Sequence, residues 1–174
     1  MMKSLCAAAV FGLALTAGAL PGAAATISFD QANTTPYLED GFQIDDARLT
    51  NGNCLAGSCM GLNTNETSIL TRTGGGAFTV SSIWFKLSGP AALQVTSFNG
   101  LVQIESIILT TTDGPVFSHL FSNITSLVFH DSSTGNVRVD DIVVSAVPIP
   151  ATLPLFGAAL AGLAVMRRRR AAQA

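Results

Sequence analysis

The 174-residue chain carries few side chains of the kind that catalyse reactions. Its only histidines are His119 and His130. His119 lies between Phe117 and Phe121 at period two, which predicts a residue at a sheet edge sharing their face. His130-Asp131 ends a strand ahead of a turn and reads as a solvated pair. Serines are plentiful, yet no G-x-S-x-G turn presents one as a nucleophile. A Ser-His-Asp set is defined by geometry, so none is read from spacing alone. Glycoside hydrolysis needs two carboxylates at a set separation. The 11 acidic residues offer pairs, but none is marked by its surroundings. Gly74, Gly75 and Gly76 lack the helix, Lys and Ser/Thr that follow them in a phosphate loop. A non-enzymatic chain without a cofactor is the expectation.

Two acidic pairs bear on metal binding. Asp45-Asp46 and Asp140-Asp141 each put one carboxylate on each face of a strand. A buried carboxylate needs a partner, and Ca²⁺ with oxygen ligands is one solution. Asp140 and Asp141 are therefore the metal candidates. No D-x-D-x-D-G loop supports them, and salt bridges to Arg48 and Arg138, or plain solvation, are the simpler expectation. No metal is assigned. For a glycan, the useful chemistry is an aromatic platform. The chain has one Trp and one Tyr. Trp84 has the opposite parity to Phe85, so burial of Phe85 would display Trp84 on the outer sheet face as the ligand candidate. The alternative is a Trp covered by a loop or a neighbouring strand.

These residues sit on short segments that alternate apolar and polar and are bounded by turn residues. The segments begin at Thr26, Tyr37, Ser68, Ala77, Leu93, Leu101, Val116, Thr125 and Val137, about nine strands in all. Tyr37 to Ile44 reads as one strand with Gly41 at a bulge or turn. In the segment from Ala77, Phe78 and Val80 have one parity while Ile83, Phe85 and Leu87 have the other. The slip predicts a bulge or bend at Ser81-Ser82. Asn99-Gly100 reads as a two-residue hairpin turn. No amphipathic helix intervenes, so an all-β antiparallel sandwich or jelly roll is predicted. Its core would hold Phe29, Phe42, Phe78, Phe85, Phe98, Val128 and Ile142.

The two ends differ from this middle. Lys3, an apolar run to Leu20, Pro21-Gly22 and Ala23-Ala24-Ala25 have the order of a secretory signal peptide, residues 1–25, cleaved after Ala25. Cys6 would leave with it. At the other end, Val147, Pro148, Ile149, Pro150 and Ala151 form a proline-spaced segment kept out of helix by its prolines. Residues 152–166 are uncharged and Arg167, Arg168, Arg169 and Arg170 follow. This order predicts an exposed tag, a membrane helix and a cytoplasmic stop. The helix is short, roughly 21 Å against a hydrocarbon core of about 30 Å, which suits temporary retention.

Between these ends, residues 26–146 have the size of one domain. This part keeps Arg48, Arg72, Lys86 and Arg138 against all 11 acidic residues. Such an acidic domain is not built to hold nucleic acid through a basic patch. Cys54 and Cys59, an even pair in an exported chain, predict a disulfide. Closing so small a loop contributes about 2 kcal/mol at most.

The C-terminal pattern resembles the VPLPA variant of the PEP-CTERM sorting signal, with Ile149 where that family usually has Leu. The resemblance covers residues 147–174. It implies that a Gram-negative bacterium exports the precursor and holds it by the tail. An exosortase, an integral-membrane transpeptidase-like enzyme, would then recognise the motif and remove the tail. Delivery to the cell surface or the exopolysaccharide matrix is implied. The middle resembles, more loosely, the β-sandwich ectodomains of such proteins and carbohydrate-binding jelly rolls. Its Asp-Gly-Phe, its Cys-containing loop and its Val-Asp-Asp-Ile-Val-Val strand carry that likeness. In those jelly rolls an aspartate of the last strand often helps hold a structural Ca²⁺. Two readings follow. One is a non-catalytic surface or matrix protein with a structural or adhesive role. The other is an exported glycan-binding or glycan-active protein.

Overall fold

A computed structural model describes residues 24–32, 34–110 and 116–147. Thirteen strands run in order: β1 (Ala24–Ile27), β2 (Tyr37–Glu39), β3 (Phe42–Asp45), β4 (Arg48–Thr50), β5 (Cys59–Asn63), β6 (Thr67–Arg72), β7 (Phe78–Ser88), β8 (Leu93–Asn99), β9 (Val102–Leu109), β10 (Val116–Phe117), β11 (Phe121–Ile124), β12 (Ser126–Asp131) and β13 (Asn136–Ala146). They form two antiparallel sheets, as the alternating pattern predicts. One is six-stranded, in the order β2-β3-β6-β12-β8-β9. The other is seven-stranded, with β7 and β13 at its centre. β13 pairs with β7 on one side and with β5 and then β1 on the other. β7 pairs in turn with β10 and β11.

The sheets bury Phe29, Phe78, Phe85 and Ile142 completely or nearly so, with Phe42 close behind. Two predicted core residues differ. On β12 the buried residues are Leu127 and Phe129, so Val128 has the outward parity and is half-buried. On β8 the inward parity belongs to Leu93, Val95 and Ser97, which leaves Phe98 half-exposed. In both strands the sequence alternates large apolar residues on both parities, so hydrophobicity alone does not choose the face.

The parity slip in β7 is a bulge. Val143 pairs with Ser82 and Val144 with Val80, which leaves Ser81 unpaired on β7. β13 compensates just before it, across Asp141 and Ile142, where Asp141 has φ +41°. The extra residue lets Phe78 and Val80 share a core with Ile83, Phe85 and Leu87.

Two turns refine the sequence reading. Asp40 and Gly41 have φ of +49° and +80°, the left-handed pair of a tight hairpin turn, so Tyr37 to Ile44 is two strands. Asn99 pairs with Val102, so the β8–β9 turn is Gly100-Leu101 and not Asn99-Gly100. Gly100 has φ +60°, which suits glycine as the first central residue of such a turn.

Residues 1–23, most of the expected signal peptide, lie outside the described residues. So do Pro148, Ile149, Pro150, Ala151, the apolar run 152–166 and Arg167 to Arg170. Ala24 and Ala25, at the expected cleavage site, belong to β1 and pair with Ser145 and Val144. No helix among the described residues is long and apolar enough to cross a membrane.

Candidate functional site

The outward faces of the two sheets are the candidate binding surfaces, and the disulfide loop decides between them. Cys54 and Cys59 are joined, with Cα atoms 5.5 Å apart. Their loop connects β4 to β5 and is fastened to the outer face of the seven-stranded sheet. Asp140 is the main fastening. One of its oxygens accepts the Leu55 N–H at 3.1 Å and the other accepts the Asp141 N–H at 3.0 Å. Its neighbours on that face hold the loop as well. The Arg138 Nε donates to the Gly52 carbonyl at 3.1 Å, and the Lys86 Nζ donates to the Asn53 side chain at 3.1 Å. From the other side, the Asp30 carboxylate reaches the Ser58 N–H at 3.5 Å. Gly57 lies against Asp30 with φ +49°, and a Cβ there would overlap that carboxylate.

Trp84 is the cross-strand partner of Asp140 and lies on this same face. Parity therefore places it outward, as predicted, but it is only 7% exposed. It offers no free ring face to a sugar. The disulfide loop is bonded to the same face beside it, through its cross-strand partner Asp140. Burial raises the Asp140 carboxyl above its ordinary range, against the lowering effect of its N–H bonds. Both oxygens are occupied by N–H donors, so Asp140 acts as a loop fastener, and Asp141 is the bulge residue beside it. Burial, with the nearby Arg48 charge adding to it, lowers Arg138. Among the described residues neither arginine meets these aspartates in a salt bridge. Arg48 meets Glu66 at 3.8 Å and the Asn63 side chain at 2.6 Å.

The six-stranded sheet presents a different outer face. Its strands align two rows across the sheet. Thr67, His130, Gln94 and Ile108 form one, and Ile69, Val128, Thr96 and Ser106 form the next. Gln43 and Asp45 continue the surface on β3. Thr67, Ile69 and Ile108 are exposed, and Gln94, Val128 and His130 are half-buried. The side-chain hydrogen bonds here run between the strands of the sheet itself. Thr67 Oγ1 meets His130 Nδ1 at 3.0 Å. Gln94 donates to Ser106 at 2.9 Å, and Thr96 and Ser106 share a hydroxyl bond of 2.9 Å. Asp45 and His130 are the titratable groups of this surface. It presents amide, hydroxyl and imidazole groups among β-branched side chains, with Phe98 at its margin beside Ser126.

His130 and Asp131, read as a solvated pair, are separated by strand parity. His130 joins the outer face, whereas Asp131 is fully buried and accepts the Ser133 N–H at 3.0 Å. His119 does sit with its two phenylalanines. It stacks on Phe117 at 5.5 Å between ring centroids and meets Phe121 edge-on at 4.6 Å. Its Nε2 also lies 2.8 Å from Glu105 on β9, which ties the edges of the two sheets together.

One buried site gave no sequence signal. The Glu39 carboxylate accepts the Ser28 N–H, the Phe29 N–H, the Ser28 hydroxyl and the Tyr37 hydroxyl at 2.9–3.0 Å. It fixes the chain after β1, where Phe29 has φ +59°. Burial pushes the Tyr37 hydroxyl well above the usual phenol range, with Glu39 adding to it. The alternation Tyr37-Leu38-Glu39 put Glu39 on the inward parity, but an acid there reads as an exception until its donors are seen.

No protein-family model matches the chain, and no curated protein matches it. Several solved structures are similar to it at low identity. One contains the family 22 carbohydrate-binding and family 10 glycoside hydrolase modules of a Clostridium thermocellum endo-1,4-β-D-xylanase, complexed with xylohexaose. The identity is 16%, with 70% of this chain and 28% of that chain covered and a TM-score of 0.44. The present chain thus spans little more than a quarter of that molecule. Another is a family 29 carbohydrate-binding module from Piromyces equi, at 12% identity, 72% and 91% coverage and a TM-score of 0.45. A mutant family 29 module complexed with mannohexaose matches at 14% identity, 73% and 93% coverage and a TM-score of 0.44. These likenesses lie in the β-sandwich.

Proposed function

We propose that this chain is an exported, non-catalytic surface protein whose sandwich binds polysaccharide through the outer face of the six-stranded sheet. One observation carries the proposal. Of the two outer faces, this one leaves the Thr67 and Ser106 hydroxyls exposed and Gln94 and His130 half-exposed, in rows set by strand register. Hydroxyl-rich polymers are recognised by such groups. Among the described residues the face carries a single carboxylate, Asp45, where hydrolysis of a glycoside calls for two. Carbohydrate-binding modules supply the first ligands to try.

The same proposal includes the route. The tail from Val147 is a sorting signal, the apolar run holds the precursor in the inner membrane, and an exosortase removes it. The protein then resides at the cell surface or in the exopolysaccharide of a Gram-negative bacterium. The order of motif, apolar run and arginines supports this part. A tag after Ala174 tests it. The tag should be lost from surface protein when the enzyme is present. Its retention would leave the tail as a plain anchor.

For the sandwich, the test is a glycan array probed with the exported protein, with and without Ca²⁺. Retention of uncharged polysaccharides in both conditions is expected. If nothing is retained, a purely structural role stands, which the burial of Trp84 favours.

A further inference from the structure

Pairing places both ends of the described chain at one end of the sandwich. Ala24 opens β1 beside Ser145, and Ala146 closes β13 beside Phe78. Phe78 also pairs with Ile124, the last residue of β11. The next residues belong to the β8–β9 hairpin as much as to β11. The Thr125 N–H donates to the Phe98 carbonyl at 2.8 Å, and the Gly100 N–H donates to the Thr125 hydroxyl at 2.8 Å. Asn99 donates to the Asn123 carbonyl at 3.0 Å. The hairpin tip is thus locked beside the point where the chain leaves β13.

That tip carries Leu101, which is 101% exposed, followed by Val102 at 64%. A hairpin turn favours glycine, asparagine, aspartate or serine, so the turn itself does not ask for leucine. Five residues, Val147 to Ala151, separate the sandwich from the apolar run. At about 3.1 Å per residue such a proline-spaced segment reaches ~16 Å.

We propose that the Gly100-Leu101 tip rests in the outer surface of the lipid bilayer while the precursor is held by its tail. The proposal rests on the membrane-retention reading of that tail. A short tether brings this end of the domain close to the bilayer. The end it brings is tipped by an exposed leucine. An apolar side chain at that depth exchanges water for the headgroup boundary. The contact is lost when the tail is cut, so release of the domain needs no unfolding.

The test uses the full chain, expressed in a Gram-negative host lacking the exosortase. A diazirine-bearing residue replaces Leu101, or Asn65 at the opposite end. Membranes are irradiated and the protein is analysed for lipid adducts. Adducts at position 101 several-fold above those at position 65 are expected, and they should fall to background when the exosortase is supplied. Membrane-held protein with equal adducts at the two positions would overturn the tip contact and leave the tail reading standing. Protein absent from the membrane fraction would overturn both. The exchange Leu101→Ser should leave membrane retention and melting unchanged, because the side chain touches nothing in the domain. Loss of folding in that variant would show that Leu101 is structural and overturn the proposal.

Discussion

The two outer faces of the sandwich are built alike and end up opposite. Each is the outward parity of an antiparallel sheet over one shared core. On the seven-stranded sheet a disulfide loop is fastened to that parity at Asp140, and Trp84 and Asp140 are as buried as core residues. On the six-stranded sheet the side chains bond to their neighbours, and all but the buried Thr96 stay wholly or partly exposed. Strand alternation decides which way a side chain points. Whether that direction is surface or interior depends on what is laid over the sheet.

The largest expected effect comes from unfastening the closed face. Asp140→Ala leaves the Leu55 and Asp141 N–H groups without their acceptor and should cost on the order of 3 kcal/mol. Urea denaturation measures it. Trp84, the single tryptophan, should shift its native emission to the red as the loop loosens. A loss below about 0.5 kcal/mol would mean that the loop is held by other contacts.

Removing the disulfide comes next. The double exchange Cys54→Ser with Cys59→Ser should cost about 2 kcal/mol or less. Acrylamide should quench Trp84 more strongly, while polysaccharide binding is unchanged. Altered binding would place ligand contacts on the closed face and invert the comparison.

A smaller effect is carried by pH. Because burial raises the Asp140 carboxyl above 3.8, the folded state keeps that proton to higher pH than the unfolded state. Its contribution to stability is therefore fullest below the ordinary value and is lost as pH rises through the folded one. Relative to Asp140→Asn, which does not titrate, the wild type should gain stability as pH falls toward 3.8. A relative loss over that window would show that the N–H bonds outweigh burial.

The open face should show the smallest stability effects. Gln94→Ala and His130→Ala should each change stability by no more than about 0.5 kcal/mol, since both side chains are at the surface. Each should weaken polysaccharide binding in a pull-down from insoluble polymer. Unaltered binding in both would move the ligand away from these rows.

Much of the fold was legible because strands announce themselves by period and turn. The β7 bulge followed from a parity slip, and the disulfide from an even cysteine pair in a chain read as exported. The faces were harder. Phe98 and Val128 look like core residues, but inward parity falls to Ser97 and to Leu127 and Phe129. Trp84 was assigned its direction correctly, and of its two expected states, displayed or covered, the covered one holds. The disulfide loop fastened beside it had no local signal, because its bond to Asp140 spans 85 residues. The Glu39 site was hidden for the same reason, since its donors lie in a loop before β2. The Thr67, Gln94 and His130 row depends on register among three strands and has no local signature.

The central claim is that ligand meets the six-stranded sheet on its outer face. Amide chemical-shift mapping during titration with a polysaccharide fragment retained on the array tests it most directly. The account predicts shifts confined to Thr67, Gln94, Thr96, Ser106, Val128 and His130 and their neighbours on that face. Shifts centred on Leu55, Trp84 and Asp140, or none at saturating ligand, would contradict it.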